Sequence, residues 1–458
     1  MASFNSKLFY GRRKGVAAPI PIDSDPDDSS DESENEAEPT ISFEALEQDL
    51  DSSDDSEVTE ESETEDPDEP DEQNGPTAAA TSNGPRGNRN KKRPQIWRRK
   101  DPDEIPTINV PFTGKLYEGQ PVKEPIQYFR EILDDKILSN IVVESNRYAL
   151  QCDINRPLDV NEKEIEQFFG IILLMCIVKM SCSRMYWDRE LRYDKVADVM
   201  SRRRFETIKK NLHVVDNEKR PENCSDKLFK IRPLADALNA NFSKMVPGEH
   251  LSCDEQIVPF KGKSGLKQYN QKKPKKWGYK IFVLCGVDGL INNFEIYDGA
   301  IQTCPGQPDI ISSGNIVLRL LQNIPRNVGH KIYCDNWFTG MNLVSICEKE
   351  GIHYVGTARL NRLPSCNVPN DKELKKKGRG ASVIHTTLFN DVEVQAIKWH
   401  DNRGVMLVST YAGIAPLGKI SRYDRVTKRR IDVDCPDVVK LYNKCMGGVD
   451  LLDMLIAL

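Results

Sequence analysis

The stretch HKIYCDNWFTG, from His330 to Gly340, determines how the rest of the chain is interpreted. A short β-prone run, Ile332 to Cys334, ends abruptly at Asp335 and Asn336. Runs of β-branched and aromatic residues that stop at a polar cluster predict a buried strand whose end reaches a cleft. In an open α/β sheet, ligands bind at the carboxyl ends of the strands. The stretch therefore predicts an α/β fold with Asp335 at a ligand-binding edge, although a turn aspartate is the simpler explanation of this residue alone.

Two further segments place acidic residues in a comparable way. HLSCDEQIVPF has Asp254 inside a short apolar run, and GGVDLLDML has Asp450 and Asp453 three residues apart in a helical pattern, hence on one side of a helix. Transfer at a phosphodiester is helped by two Mg²⁺ ions about 3.5–4 Å apart, and Mg²⁺ prefers hard oxygen ligands. We therefore expect Asp254 and Asp335 to bind metal from neighbouring strands, with Asp450, Asp453 or both completing the site. The alternative for Asp450 is a surface residue at a helix start, and Glu255 is expected on the opposite face of its strand.

A basic segment lies between the first two acidic residues. Lys261 to Lys280 contains eight lysines and no acid, and Tyr269, Trp277 and Tyr279 are interleaved with them. This pattern is typical of a nucleic-acid groove with stacking aromatic side chains, although a solvated hairpin loop is the alternative. The residues expected to contact DNA are Lys261, Lys263, Lys267, Lys272, Lys273, Lys275, Lys276 and Trp277.

The charge distribution supports a polyanionic partner. The net charge of −6 combines a net charge of −13 in the first 100 residues with +7 in the remainder. An acidic tail on a mildly basic body indicates a polyanion-binding protein. Residues 86–100 form a basic run that is either a nuclear-import or nucleic-acid signal or a solvated linker. We expect a nuclear protein.

Cysteine spacing and hydropathy argue against a zinc-binding module, a disulfide-rich protein and a membrane protein. The twelve cysteines are scattered without a C-x-x-C pair, which argues against a zinc module and a disulfide framework. The most apolar stretch, Phe168 to Met180, is too short to span a membrane and predicts a buried helix. We therefore expect no membrane association.

The patterning divides the chain into five segments. Residues 251–359 show the order three strands, helix, strand, helix, strand, which is that of a ribonuclease-H-like core. The other predicted segments are a disordered acidic tail with a basic linker (1–96), a helical domain (97–250), an inserted mainly β subdomain (360–436) and a final core helix (437–458).

Four blocks of sequence resemble the signature blocks of piggyBac-type transposases and the host proteins derived from them. The blocks are SCDEQIVPFKGKSGLKQY, KPKKWGYKIFVLC, YCDNWFTG and YNKCMGGVDLLD, and the resemblance runs from about Trp97 to Leu458. It implies a DD(E/D) transposase whose ribonuclease-H-like core is split by an insertion and preceded by a helical dimerisation and DNA-binding domain. By the same resemblance Asp254, Asp335 and Asp450 are the catalytic metal ligands, and Asp453 is a fourth catalytic acid nearby.

The resemblance also implies a function and two partners. Such transposases cut and join duplex DNA at TTAA sites, so we expect double-stranded DNA, two Mg²⁺ ions and a second copy of the chain as partners. The chain stops five residues after Asp453, where members of the family continue, and a truncated final helix is therefore expected. The alternative function is a catalytically inactive nuclear DNA-binding protein derived from a transposase.

Overall fold

The computed structural model describes residues 95–457, apart from 106–107, 116–120, 272, 274–275 and 425–426. The predicted acidic tail and most of the basic linker therefore lie outside the described residues, as do Lys272 and Lys275 of the predicted DNA-contacting set. No helix in the described part combines the length and the apolar surface that a membrane span requires.

The first part of the described chain is helical, as the three- and four-residue spacing of apolar residues predicts. Asn161 caps the third helix as expected, since its side chain accepts a hydrogen bond from the Glu164 amide at 3.0 Å. Ile165, Phe168 and Ile208 are almost fully buried between these helices. The helices are α1 (Pro125–Ile132), α2 (Asp135–Cys152), α3 (Glu162–Ile177), α4 (Asp194–Ala197), α5 (Arg202–Asn211) and α6 (Arg232–Phe242).

Strands dominate after residue 250. The described strands are β1 (Arg98–Lys100), β2 (His250–Pro259), β3 (Lys267–Tyr269), β4 (Trp277–Gly286), β5 (Ile291–Ile296), β6 (His330–Cys334), β7 (Ile352–Thr357), β8 (Ser382–Phe389), β9 (Val392–His400), β10 (Gly404–Ser409), β11 (Gly418–Asp424) and β12 (Arg429–Cys435). The helices among them are α7 (Ser312–Leu320), α8 (Met341–Lys349), α9 (Asp371–Lys377), α10 (Asp437–Cys445) and α11 (Gly448–Ala457).

Ten of the described strands form one mixed sheet. Its order is β1-β8-β9-β10-β7-β6-β2-β4-β3, and β5 also pairs with β4. Strand β6 runs parallel to β2 and β7, whereas the other pairs are antiparallel. Strands β8, β9 and β10 come from the segment predicted as an insertion and extend this sheet beyond β7, while β11 and β12 form a separate hairpin. The domain boundaries themselves stay predictions.

Helices cover both faces of the central strands. Side chains alternate along β2, so Leu251 and Cys253 pack into the cluster that contains α7 and α8. On the other face, Val283 and Cys285 of β4 pack against Val449 of α11. Asp254 lies opposite Val283 in the β2–β4 ladder and therefore faces the α11 layer.

The C-terminal segment forms two helices instead of the one that its pattern predicts. Helix α10 ends at Cys445 and α11 begins at Gly448, only three residues later. A Cβ at Gly448 would lie 2.5 Å from Ser252 Oγ and 3.1 Å from Cys285 Sγ. The break at Gly447 thus lets the backbone of α11 approach the sheet more closely than a side chain would permit.

Candidate metal and nucleic-acid site

Asp254 and Asp335 occupy neighbouring positions where the parallel β2–β6 ladder ends. Asp254 lies in the middle of β2, which continues to Pro259, whereas Asp335 directly follows the last residue of β6. The last pair of the β2–β6 ladder is Cys253 with Cys334, both fully buried, and each acidic residue is the next one along the chain. Neighbouring strands lie about 4.8 Å apart. The register of β2 and β6 therefore places these two residues next to each other, and their role as metal ligands stays a prediction.

Helix α11 is fixed over the same strand at two points. Its first residue, Gly448, lies against Ser252, and the Asp453 carboxylate accepts a hydrogen bond from Gln256 Nε2 at 2.7 Å. Because Ser252, Asp254 and Gln256 share one face of β2, these contacts lie on either side of Asp254. Asp450 lies between Gly448 and Asp453 on the helix and is exposed.

The acidic residues influence one another electrostatically. Burial raises the pKa of Asp254 to about 7, and the charges of Asp335 and Asp450 add to the rise, against the lowering effect of Lys273 and of the Glu255 amide. Burial also raises the pKa of Asp335. Asp254 and Asp335 are both half-buried. Burial is thus the main cause of both shifts, and repulsion by acidic neighbours is the smaller one.

Among the described residues, Lys273 is the cation that lowers the pKa of Asp254. The four acidic residues Asp254, Asp335, Asp450 and Asp453 are termed the acidic cluster below. Burial alone would lower the pKa of Lys273, but the charges of Asp254 and Asp450 outweigh that effect and raise it. Its Nζ donates a hydrogen bond to the backbone carbonyl of Glu255 at 3.2 Å. Lys273 was predicted to contact DNA, and here it lies beside the acidic residues.

Asp335 also stabilises the turn that follows β6, which is the simpler role expected for this residue. Its Oδ1 accepts a hydrogen bond from the Trp337 amide at 2.7 Å, and its backbone carbonyl accepts one from the Thr339 hydroxyl at 2.9 Å. Asn336 accepts a hydrogen bond from Arg359 at 3.0 Å. A turn role and a ligand role therefore coexist, because only one carboxylate oxygen takes part in the turn bond.

The donor set suits a hard divalent cation, although the ligands do not converge. Carboxylate oxygens are the ligands that Mg²⁺ prefers, and their mutual repulsion would be relieved by a cation. Among the residues that the structure describes, however, no group of three or more His, Cys, Asp or Glu lies close enough together to hold a metal ion.

A basic aromatic surface continues from the acidic cluster along β2. The Tyr269 and Trp277 rings lie 4.7 Å apart, each about half exposed, and Lys267 Nζ is 5.0 Å from the centre of the Trp277 ring. Trp277 adjoins Gly278, which pairs with Pro259, five residues beyond Asp254. At about 3.3 Å per residue, the aromatic pair is about 17 Å from Asp254. Lys261, Lys263 and Lys276 are exposed near this pair.

Comparison with known proteins decides the family. Residues 124–457 match the family described as Transposase IS4. The human PiggyBac transposable element-derived protein 2 is 33% identical over 340 residues, which cover 73% of this chain and 56% of the relative. The chain belongs to the piggyBac-type transposase family.

Two further piggyBac comparisons agree with this assignment. The human PiggyBac transposable element-derived protein 3 is also 33% identical, over 72% of this chain and 56% of the relative. A cryo-EM structure of a piggyBac transposase synaptic complex with hairpin DNA matches with a TM-score of 0.58 at 26% identity, covering 75% of this chain and 70% of the other. The chain thus spans about half the length of the curated piggyBac relatives that it matches.

Within this piggyBac-type fold, sequence reasoning missed the residues that support the acidic cluster. Gln256 was not predicted, although its position two residues after Asp254 places it on the same face of the strand. Glu255 was assigned to the opposite face, and there it forms an ion pair of 2.7 Å with Lys280. No pattern in the sequence distinguishes Lys273 from the other lysines of its segment.

Proposed function

We propose that this chain is a DD(E/D)-type transposase with a ribonuclease-H-like core, which cuts and joins duplex DNA at TTAA-type sites in the nucleus. In this proposal Asp254, Asp335 and Asp450 hold two Mg²⁺ ions, Asp453 supports them, and a second copy of the chain completes the active assembly. The DNA lies along the basic aromatic surface of Trp277 and the lysines around it.

The observation that carries the proposal is the register of β2 and β6. It supports a shared site because Asp254 and Asp335 follow paired residues of adjacent strands. The charge of Asp450 on α11 also acts on Asp254, which supports its place in the same site. The strand order β5-β4-β2-β6-β7, with α7 and α8 as the crossovers, supports the ribonuclease-H-like interpretation. DNA binding is supported by the matching piggyBac transposase structure, which is a synaptic complex with hairpin DNA.

In phosphodiester cleavage, a bound metal and the chain's own residues would have separate roles. Bound Mg²⁺ would stabilise the attacking and leaving oxygens of a phosphodiester. Asp254 and Asp335 would supply the carboxylate ligands, and a bound cation would lower their raised pKa values. Gln256 orients Asp453 by its hydrogen bond, and Trp277 with Lys267 offers a stacking and charged surface for the DNA strand.

A second candidate is a catalytically inactive nuclear DNA-binding protein derived from a transposase. The absence of a converged ligand group among the described residues favours it. The basic aromatic surface serves this function equally well, because phosphate contacts and stacking need no metal.

A cleavage assay separates the two candidates. Parent and Asp335→Asn are incubated with Mg²⁺ and a duplex that carries TTAA-flanked ends. Asparagine keeps an oxygen for the Trp337 amide, so the turn is retained while the negative charge is lost. Asp288→Asn is the matched control, because Asp288 Oδ1 accepts the same kind of turn bond from the Leu290 amide at 3.0 Å.

Transposase function predicts cleavage by the parent and by Asp288→Asn, with a loss of about a hundredfold or more in Asp335→Asn. Equal activity of parent and Asp335→Asn, or no cleavage by either, rejects catalysis and leaves the DNA-binding alternative. Binding of the same duplex at several salt concentrations tests that alternative, since affinity should fall steeply as salt rises. A flat salt dependence would reject both functions.

A further inference from the structure

Glu255 is fully engaged by the basic segment that follows it. It lies next to Asp254 on β2, with its side chain on the opposite face of the sheet. Its Oε2 forms an ion pair of 2.7 Å with Lys280 Nζ, and its Oε1 accepts a hydrogen bond of 2.6 Å from Asn270 Nδ2. Both carboxylate oxygens are therefore bound by residues from the segment Lys261 to Lys280.

The turn between β3 and β4 is tied to the same residue through its backbone. The Glu255 carbonyl accepts the bond from Lys273 that brings this lysine beside Asp254. Within the turn, the Asn270 amide donates a hydrogen bond to the Lys276 carbonyl at 2.8 Å. Tyr269, adjacent to Asn270, is thereby kept in its pairing with Trp277 on β4.

Lys280 carries this connection to the Asp335 turn. Its Nζ lies 4.8 Å from the ring centres of both Phe282 and Trp337, and these two rings stack at 5.6 Å. The amide of Trp337 in turn donates to Asp335. Glu255 thus connects the stacking surface on one side with the turn that holds Asp335 on the other.

We propose that Glu255 is a positioning residue that fixes the β3–β4 turn relative to the acidic cluster, so that DNA on Tyr269 and Trp277 presents its phosphate to Asp254 and Asp335. This inference rests on the proposed function for the role of the DNA. The fixed turn itself depends only on the contacts of Glu255 and can be tested without DNA.

Three variants isolate the role of Glu255. Glu255→Ala removes both side-chain contacts, and Glu255→Gln keeps a neutral acceptor for Asn270. Glu295→Ala is the matched control, because Glu295 lies in the same row of the sheet, opposite Phe282. Its ion pair with Arg319 has the same length of 2.7 Å and a similar burial.

Amide hydrogen exchange of β3 is measured first, on the full chain without DNA. Exchange of the β3 amides should rise about tenfold or more in Glu255→Ala, because the Asn270 side chain loses its acceptor oxygen. It should stay within about twofold of the parent in Glu255→Gln and Glu295→Ala. Unchanged exchange in Glu255→Ala, or an equal rise in Glu295→Ala, overturns the proposal.

Cleavage of a TTAA-flanked duplex with Mg²⁺ tests the consequence for DNA. The salt dependence of binding should be unchanged in Glu255→Ala, since the lysines remain, while cleavage at saturating DNA should fall about tenfold or more. Full cleavage at saturation by this variant would overturn the positioning role. If the parent neither binds nor cuts DNA, the proposed function fails, and the exchange result still decides whether Glu255 fixes the turn.

Discussion

Replacing Asp254, a proposed catalytic residue, should stabilise the fold. Burial raises the pKa of Asp254 from an ordinary value of 3.8 to about 7. Each pKa unit corresponds to 1.36 kcal/mol, so the difference amounts to about 4 kcal/mol. The folded chain holds this proton at pH values where the unfolded chain has lost it, and the free energy of unfolding therefore falls as the pH rises from about 4 through about 7.

Asp254→Asn removes the carboxylate and with it this cost of ionisation. Near pH 8, without divalent cations, the variant should exceed the parent in free energy of unfolding by up to about 4 kcal/mol, and near pH 4 the difference should vanish. Urea unfolding followed by tryptophan fluorescence at both pH values, with a chelator present, measures the effect. Added Mg²⁺ should narrow the gap at the higher pH, because a bound cation stabilises the ionised parent.

Asp226→Asn provides a control of opposite sign. A hydrogen bond from Arg232 holds the pKa of Asp226 below its ordinary range, so its carboxylate stabilises the fold above that range and loses this effect as the pH falls. This variant should therefore be less stable than the parent near pH 8. If Asp254→Asn is also less stable there, or if its difference from the parent does not change with pH, the reasoning about the acidic cluster is wrong.

The remaining predictions concern α11 and the aromatic surface. Gly448→Ala should cost about 1–3 kcal/mol of stability, because its Cβ would collide with the Gly286 carbonyl, whereas Gly447→Ala should change the melting temperature little, as no described atom lies within 4 Å of its Cβ. Equal melting temperatures for the two variants would reject the close approach of α11. Trp277→Ala should weaken DNA binding by about 1–3 kcal/mol without changing the salt dependence, and Lys267→Ala should reduce the slope of the logarithmic salt dependence by about 1, both measured by fluorescence anisotropy. The opposite pattern would show that Trp277 does not stack on bases.

Local patterns predicted the elements that bear the acidic residues. Strand β6 begins and ends within the stretch His330 to Gly340, because alternation and the polar stop are properties of a few neighbouring residues. The same is true of the Asn161 cap. The family resemblance added the choice of Asp450 over Asp453, which spacing alone left open.

Features that depend on distant parts of the chain were not predictable in this way. The basic run 86–100 ends in a strand, Arg98–Lys100, which pairs with Thr386, His385 and Ile384, almost three hundred residues later. The helix break at Gly447 follows from the approach of Gly448 to the sheet, which no helical period reveals. The position of Lys273 beside the acidic residues depends on its hydrogen bond to the Glu255 carbonyl, eighteen residues earlier in the chain.

The pairing of β1 with β8 has a practical consequence for shortened versions of the protein. Gln95 and Trp97 anchor this strand through side-chain hydrogen bonds to Thr387 and to the Pro364 carbonyl. A chain that started at residue 101 would leave β8 outermost, with one row of its amide and carbonyl groups open to strand addition by another molecule. Strand β1 thus covers the edge of β8. Recombinant versions that retain Arg98–Lys100 should therefore aggregate less than versions that lack them.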